Sequence, residues 1–203
     1  MRKIITTTFV TLDGVMQAPG GPKEDTSGGF AYGGWSFNYW DKLMGGVMNG
    51  IMQQPFELLL GGRTYDIFAA HWPKTKNDPL VAEKFNSTKK YVASRSPKEL
   101  LWHNSTLLTG DVAAQIKDLK KLDAPDLWVH GSGNLIQLLL EHSLVDLMYI
   151  WTFPVIVGSG KRLFEKSSKA AAFKLLDSKT SATGVIVATY EPAGELKLGS
   201  FAD

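Results

Sequence analysis

Residues 127–135 read Leu127-Trp128-Val129-His130-Gly131-Ser132-Gly133-Asn134-Leu135. A short apolar run ends in a Gly-x-Gly turn, and Asn134 then precedes Leu135, Leu138, Leu139 and His142 at helical spacing. The stretch therefore predicts a buried strand that passes through a glycine turn into a helix. Backbone N–H groups at such a helix start are unpaired, and the helix dipole adds positive potential there, so the turn favours an anion. As a dinucleotide fingerprint it lacks the third glycine, and taken alone it is weak.

Two further stretches repeat the pattern. In Leu58-Leu59-Leu60-Gly61-Gly62-Arg63-Thr64-Tyr65, the glycines allow close approach, while Arg63 and the Thr64 hydroxyl offer charge-assisted contacts to a phosphate. In Tyr91-Val92-Ala93-Ser94-Arg95-Ser96, a strand ends in hydroxyls and a guanidinium. Each also reads as an ordinary turn or solvated loop. Their common position, three strand ends on one sheet edge, is what points to a ligand with several phosphates.

Working outward, extended segments are expected at Lys3 to Leu12, Phe56 to Leu60, Lys89 to Ser94, Ser105 to Leu108, Leu127 to His130 and Leu147 to Val157. Most are continuously apolar, as strands buried on both faces are. Helices alternate with them, and Asp111 caps a helix from Val112 to Leu122. Near the C-terminus, Ala172 to Lys179 and Val185 to Tyr190 are joined without a helix-length insert, which demands an antiparallel hairpin. The expected fold class is α/β: a mixed, mostly parallel central sheet with helices on both faces and a C-terminal antiparallel hairpin. Residues 1–203 read as one domain.

The chain has 203 residues, 44% of them apolar, and 22 Lys and Arg against 20 Asp and Glu, scattered in both signs. That balance argues against a nucleic-acid partner. The sequence has no cysteine, which excludes disulfides, thiolate nucleophiles and cysteine-ligated metals and fits a reducing cytoplasm. No apolar run reaches membrane-spanning length. His71, His103, His130 and His142 form no metal-ligand pair, no GxSxG turn occurs, and Gly158-Ser159-Gly160-Lys161 lacks P-loop spacing.

Residues 17–40 stand apart, with six glycines and six aromatics (Phe30, Tyr32, Trp35, Phe37, Tyr39, Trp40). A segment this long within a compact domain suits a lid over a flat ligand. A plain surface loop or a dimer contact is the alternative.

Together these features resemble the dihydrofolate reductase-like superfamily, and within it the reductase domain of riboflavin biosynthesis (the RibD C-terminal domain) and its stand-alone bacterial relatives. The resemblance rests on Thr11-Leu12-Asp13-Gly14, Gly61-Gly62-Arg63-Thr64-Tyr65, Gly131-Ser132-Gly133-Asn134-Leu135, and Leu144-Val145-Asp146 through Pro154 to Phe164, including Gly158-Ser159-Gly160-Lys161-Arg162-Leu163-Phe164. It implies the three-layer fold of that superfamily and a nicotinamide cofactor, NADPH. Gly62, Arg63, Thr64, Ser94 and Arg95 would lie around its adenosine side, and Gly131, Ser132, Gly133, Asn134 and Leu135 at its pyrophosphate. It further implies hydride transfer to a small heterocycle of the pyrimidine or pterin class, and a homodimer.

On the substrate side, folate reductases carry a carboxylate a few residues beyond a tryptophan, and here Trp35 precedes Asp41. Burial among Phe37, Tyr39 and Trp40 would raise the Asp41 pKa and suit it to relay a proton or grip a cyclic amidine. Its other reading is a charge at a helix start. Asp13, in an Asp-Gly turn beside the expected nicotinamide pocket, is the second candidate. The chain departs from the resembled enzymes at Ser132, between glycines that are usually adjacent, and at His130, where the riboflavin enzymes place a glutamate. A non-catalytic nucleotide-binding sensor or scaffold is the competing reading.

Overall fold

The computed structural model describes residues 1–96, 98–165 and 168–201. Eight strands form one sheet: β1 (Ile4–Thr11), β2 (Phe56–Gly61), β3 (Lys90–Ala93), β4 (Ser105–Leu108), β5 (Asp126–His130), β6 (Leu147–Phe153), β7 (Phe173–Thr180) and β8 (Ile186–Pro192). Their order is β4-β3-β2-β5-β1-β6-β8-β7. The first six run parallel, while β8 pairs antiparallel with both β6 and β7. The expected α/β class and mixed sheet are present.

Alternation along the strands divides the core in two. Ile5, Leu58, Leu60, Trp128, Trp151 and Phe153 face one side with Met44, Ile51, Tyr65 and Phe85. These last four belong to α1 (Lys42–Met52), α2 (Gly62–His71) and α3 (Pro79–Ser87). Ile4, Val10, Leu59, Leu127 and Val129 face the other side with Ile116, Ile136 and Leu139 of α4 (Val112–Lys121) and α5 (Gly133–Glu141). Leu58, Leu59 and Leu60 are all fully buried, which is why β2 reads as an unbroken apolar run rather than an alternating one.

Local chemistry sets the boundaries. Asp111 caps α4 as its sequence indicates, accepting from the Ala114 N–H at 2.9 Å. The run expected to continue to Val157 stops as β6 at Phe153, because Pro154 has no N–H to give the ladder. Helix α5 starts one residue before Asn134, with Ser132 at the cap. The C-terminal hairpin closes through Ser181, whose N–H donates to the Val185 carbonyl at 2.8 Å.

Residues 17–40 fold back on themselves and do not hang free. The Gly34 N–H donates to the Ala18 carbonyl, the Trp35 indole N–H donates to the Gln17 carbonyl at 2.8 Å, and Phe30 buries itself against Val15 and Ala18. The aromatics meant for a flat ligand mostly meet the protein. Trp35 and Tyr39 pack edge-on against Phe153, and Trp40 stacks on Trp151, while Phe37 and Tyr32 remain exposed.

Candidate active site at the sheet edge

The C-terminal ends of β3, β2 and β5 are neighbours in the sheet, so the three anion-favouring turns lie side by side. Ser132 joins two of them: its Oγ accepts from the Gly61 N–H at 2.9 Å and lies 2.6 Å from Thr64 Oγ1. Gly131 and Ser132 both adopt left-handed backbone, at φ 77° and 67°. The hydroxyl linkage accounts for a serine in a conformation that glycine takes more cheaply. On the other side, a side chain at Gly62 would come within 3.5 Å of Ser94 Oγ. Ser94 is itself turned to the Ser96 carbonyl, and Arg95 is exposed. Asn134 is exposed beside buried Leu135 at the start of α5.

Arg63 is engaged. Its Nη2 lies 2.7 Å from Asp25 Oδ1, and the other carboxylate oxygen of Asp25 lies 2.6 Å from Lys161 Nζ. Asp25 is buried, and it also accepts from the Ser27 N–H and hydroxyl. Burial pushes its pKa up, but hydrogen bonds from Lys161, Ser27 and Arg63 outweigh that and hold it well below the usual carboxylate range. Gln17 completes the hub. Its amide donates to the Asp25 and Ser27 carbonyls and its Oε1 accepts from the Lys161 N–H.

The two carboxylates singled out for chemistry are both held by backbone. Asp41 caps α1, with Oδ1 accepting from the Met44 N–H at 3.0 Å and Oδ2 from the Ala182 N–H at 2.9 Å in the β7–β8 turn. The upward pKa shift expected from its aromatic neighbours does not occur. The Met44 N–H, followed by other backbone donors, outweighs desolvation and lowers it. Asp13 accepts from Thr11 Oγ1 at 2.6 Å and from the Gly158 N–H at 2.9 Å, with Arg162 nearby at 3.6 Å. Its pKa is also lowered, chiefly by the Thr11 hydroxyl. Trp35 sits between this turn region and α1, its ring against Phe153.

With the geometry in place, comparison with known proteins fixes the family. Residues 2–187 match the RibD C-terminal domain. The chain belongs to that family. It is 28% identical over 193 residues to the uncharacterized protein YyaP of Bacillus subtilis (strain 168), covering 93% of this chain and 94% of that one. In structure it is similar to a candidate riboflavin biosynthesis protein of Shewanella sp. PV-4, with TM-score 0.71, 21% identity and coverage of 94% and 98% of the two chains. It also resembles dihydrofolate reductase from Enterococcus faecalis complexed with NADP(H) and RAB-propyl, with TM-score 0.59, 10% identity and coverage of 94% and 96%. The fold is therefore dihydrofolate reductase-like.

Within this RibD-type domain, His130 lies at the end of β5 among Phe85, Trp128 and Phe56. Its Nε2 is buried without a partner, and desolvation lowers its pKa to about 3, so the ring is neutral. Among the described residues, no three His, Asp or Glu side chains gather to hold a metal, and no helix is long and apolar enough to cross a membrane. A cleft of about 670 Å³ runs along α1 past Gly46 and Gly50, over Trp128 and Tyr149. Because Lys3, Asp126 and Leu147 line it, it lies toward the strand starts, away from the Arg63–Ser132 edge.

The residues that sequence reasoning missed are Asp25, Lys161 and Gln17. Asp25 carried a signal, as a carboxylate two residues before Ser27 in a glycine-rich segment. Lys161 was visible only as part of a failed P-loop and of the Gly158 to Phe164 stretch that carries the resemblance. What joins them is tertiary: the loop after β1 and the segment after β6 are zipped together by the Met16 N–H on the Lys161 carbonyl and the Leu163 N–H on the Gly14 carbonyl.

Proposed function

We propose that this protein is an NADPH-dependent oxidoreductase that transfers a hydride to a small heterocycle of the pyrimidine or pterin class. The observation that carries this reading is the convergence of the Gly61–Thr64, Ser94–Arg95 and Gly131–Leu135 turns on one sheet edge in a member of the RibD C-terminal domain family. The donor set fits a phosphate-bearing nucleotide. Two helices of nine residues or more begin there, and Arg63 exposes 59% of its side chain. NADP(H) bound to a dihydrofolate reductase of the same fold supports the choice of cofactor.

In this reading, Arg63 and Thr64 bind the adenosine-side phosphate and Gly131 to Leu135 face the pyrophosphate. An arginine at this position favours a 2′-phosphate over a bare ribose. When bound, the cofactor supplies the hydride. The chain's own residues orient and exclude water: Phe9 and Trp40, backed by the fully buried Trp151 and Phe153, form an aromatic cluster beside the C-terminal halves of β1 and β6. Asp41 and Asp13 act as anions that position α1 and the loop after β1.

Thermal melting with NADPH and with NADH tests the reading, since a ligand that binds only the folded state raises the midpoint. A larger shift with NADPH, followed by its oxidation in the presence of a pterin or pyrimidine, is the expected result. No shift with either nucleotide sinks the cofactor assignment. One observation favours a second reading, a nucleotide-binding sensor or scaffold: the oxygens of both candidate carboxylates are taken up by hydrogen bonds from the protein itself. Binding of NADPH without oxidation of it across a heterocycle panel would select that alternative.

A further inference from the structure

Arg63 follows β2, Asp25 lies in the loop after β1, and Lys161 follows β6. In the sheet, β5 and β1 separate β2 from β6. Neighbouring strands lie about 4.8 Å apart, so the ends of β2 and β6 are about 14 Å apart. The two cations reach inward from either side and meet on one carboxylate, above the ends of β5 and β1. The Gly131–Gly133 turn is at the end of β5. From the same loop as Asp25, Met16 also covers this turn: a side chain added at Gly133 would come within 3.1 Å of its sulfur. Of the donors reserved for a phosphate, Arg63 Nη2 is thus held by Asp25, and the Thr64 hydroxyl lies against the Ser132 hydroxyl.

We propose that Asp25 is an internal counter-anion that latches residues 17–34 across the sheet edge, and that a ligand phosphate opens the edge by taking Arg63 from it. The proposal rests on the nucleotide reading of this site. Exchange is favourable for a phosphate in particular, because it offers more charge and more acceptor oxygens than a carboxylate and pairs with guanidinium through two parallel hydrogen bonds. Asp25 is not stranded by the exchange. It keeps Lys161 and Ser27, so the carboxylate remains paired within its own hub while only the strap to β2 is released. A ligand shifts such an equilibrium only through contacts it makes in one state and not the other, and Arg63 is that contact.

The test uses the full chain, wild type and Asp25→Asn, with NADPH as the probe. Removing the competing anion is expected to tighten NADPH binding by about tenfold, since the binding-competent state no longer has to be won from the closed one. In the wild type, saturating NADPH should speed amide exchange over residues 17–34, a readout that needs no variant. Equal or weaker binding by Asp25→Asn, or protection of 17–34 by NADPH, would overturn the latch and leave the nucleotide site standing. Failure of both proteins to bind NADPH would overturn the cofactor reading and the latch with it.

Discussion

Neutral His130 couples the candidate edge to pH. Its folded pKa of about 3 lies below the ordinary 6.5, so between those values the unfolded chain binds a proton that the folded chain refuses. Stability is therefore lost as pH falls through this window, by up to about 1.4 kcal/mol per pH unit. Phenylalanine would fit the cage of Phe56, Phe85 and Trp128 and remove the unpaired Nε2. Denaturant unfolding of wild type and His130→Phe should give a stability difference that is constant above pH 7 and grows in favour of the variant toward pH 4. A flat difference would mean that the folded ring takes up a proton as readily as the unfolded chain does, its Nε2–H donating to a hydrogen-bond acceptor. Asp41 offers a second test at this scale. As an anion that holds two backbone N–H groups, it should tolerate Asp41→Asn with less than about a tenfold loss of turnover, whereas loss of one general acid–base group costs about 100-fold or more. Melting should show a small drop for asparagine and a larger one for alanine, in line with a cap.

At the scale of elements, the β2–α2 and β5–α5 turns are one unit because of Ser132. A side chain at Gly61 would meet Ser132 Oγ at 2.4 Å and its Cβ at 3.0 Å. Gly61→Ala should cost about 1–3 kcal/mol through overpacking. Ser132→Gly alone should be near neutral, because losing the hydrogen bond to Gly61, worth about 1 kcal/mol, is offset by relief of the left-handed serine, worth about 1–2 kcal/mol. The double variant should then recover most of the loss, and a denaturation-based double-mutant cycle reads the coupling. Additive losses would show that the serine does not fill that space. Both turns were legible as strand-to-helix glycine turns, since apolar runs, caps and glycines are local signals. Their linkage was not, because Ser132 and Gly61 are 71 residues apart. For the same reason Asp41 read equally as a buried acid or a cap: the deciding contact, the Ala182 N–H, comes from 141 residues away. Helix α3 carries only Asp78-Pro79 as a local start signal, and Asp78 caps it through left-handed backbone with no side-chain bond.

For the whole molecule, the fold was legible because a parallel sheet writes its buried strands as unbroken apolar runs, and the hairpin because it lacks crossover residues. The same sheet ends unevenly. The β4 edge is a short strand of four residues, but β7 is an eight-residue edge exposed along nearly its whole length. A long exposed edge invites pairing, and Lys174, Asp177 and Lys179 supply the charges that usually restrain it. On one face of this outer hairpin, Leu175 pairs opposite Tyr190, and Ile186 follows two registers beyond Ala188. Leu175 remains 50% exposed and Ile186 45%. We propose that a second copy covers this face and makes the protein a homodimer. Sedimentation at tens of micromolar should then give twice the chain mass of 22.3 kDa. Leu175→Lys combined with Ile186→Lys should return the monomer mass while keeping the circular dichroism of the fold, since both side chains are half in solvent already. A wild-type mass of one chain refutes the dimer outright. A dimer that survives the double substitution moves the interface elsewhere, and the exposed Phe37 and Tyr32 of residues 17–40 are then the surface to substitute next.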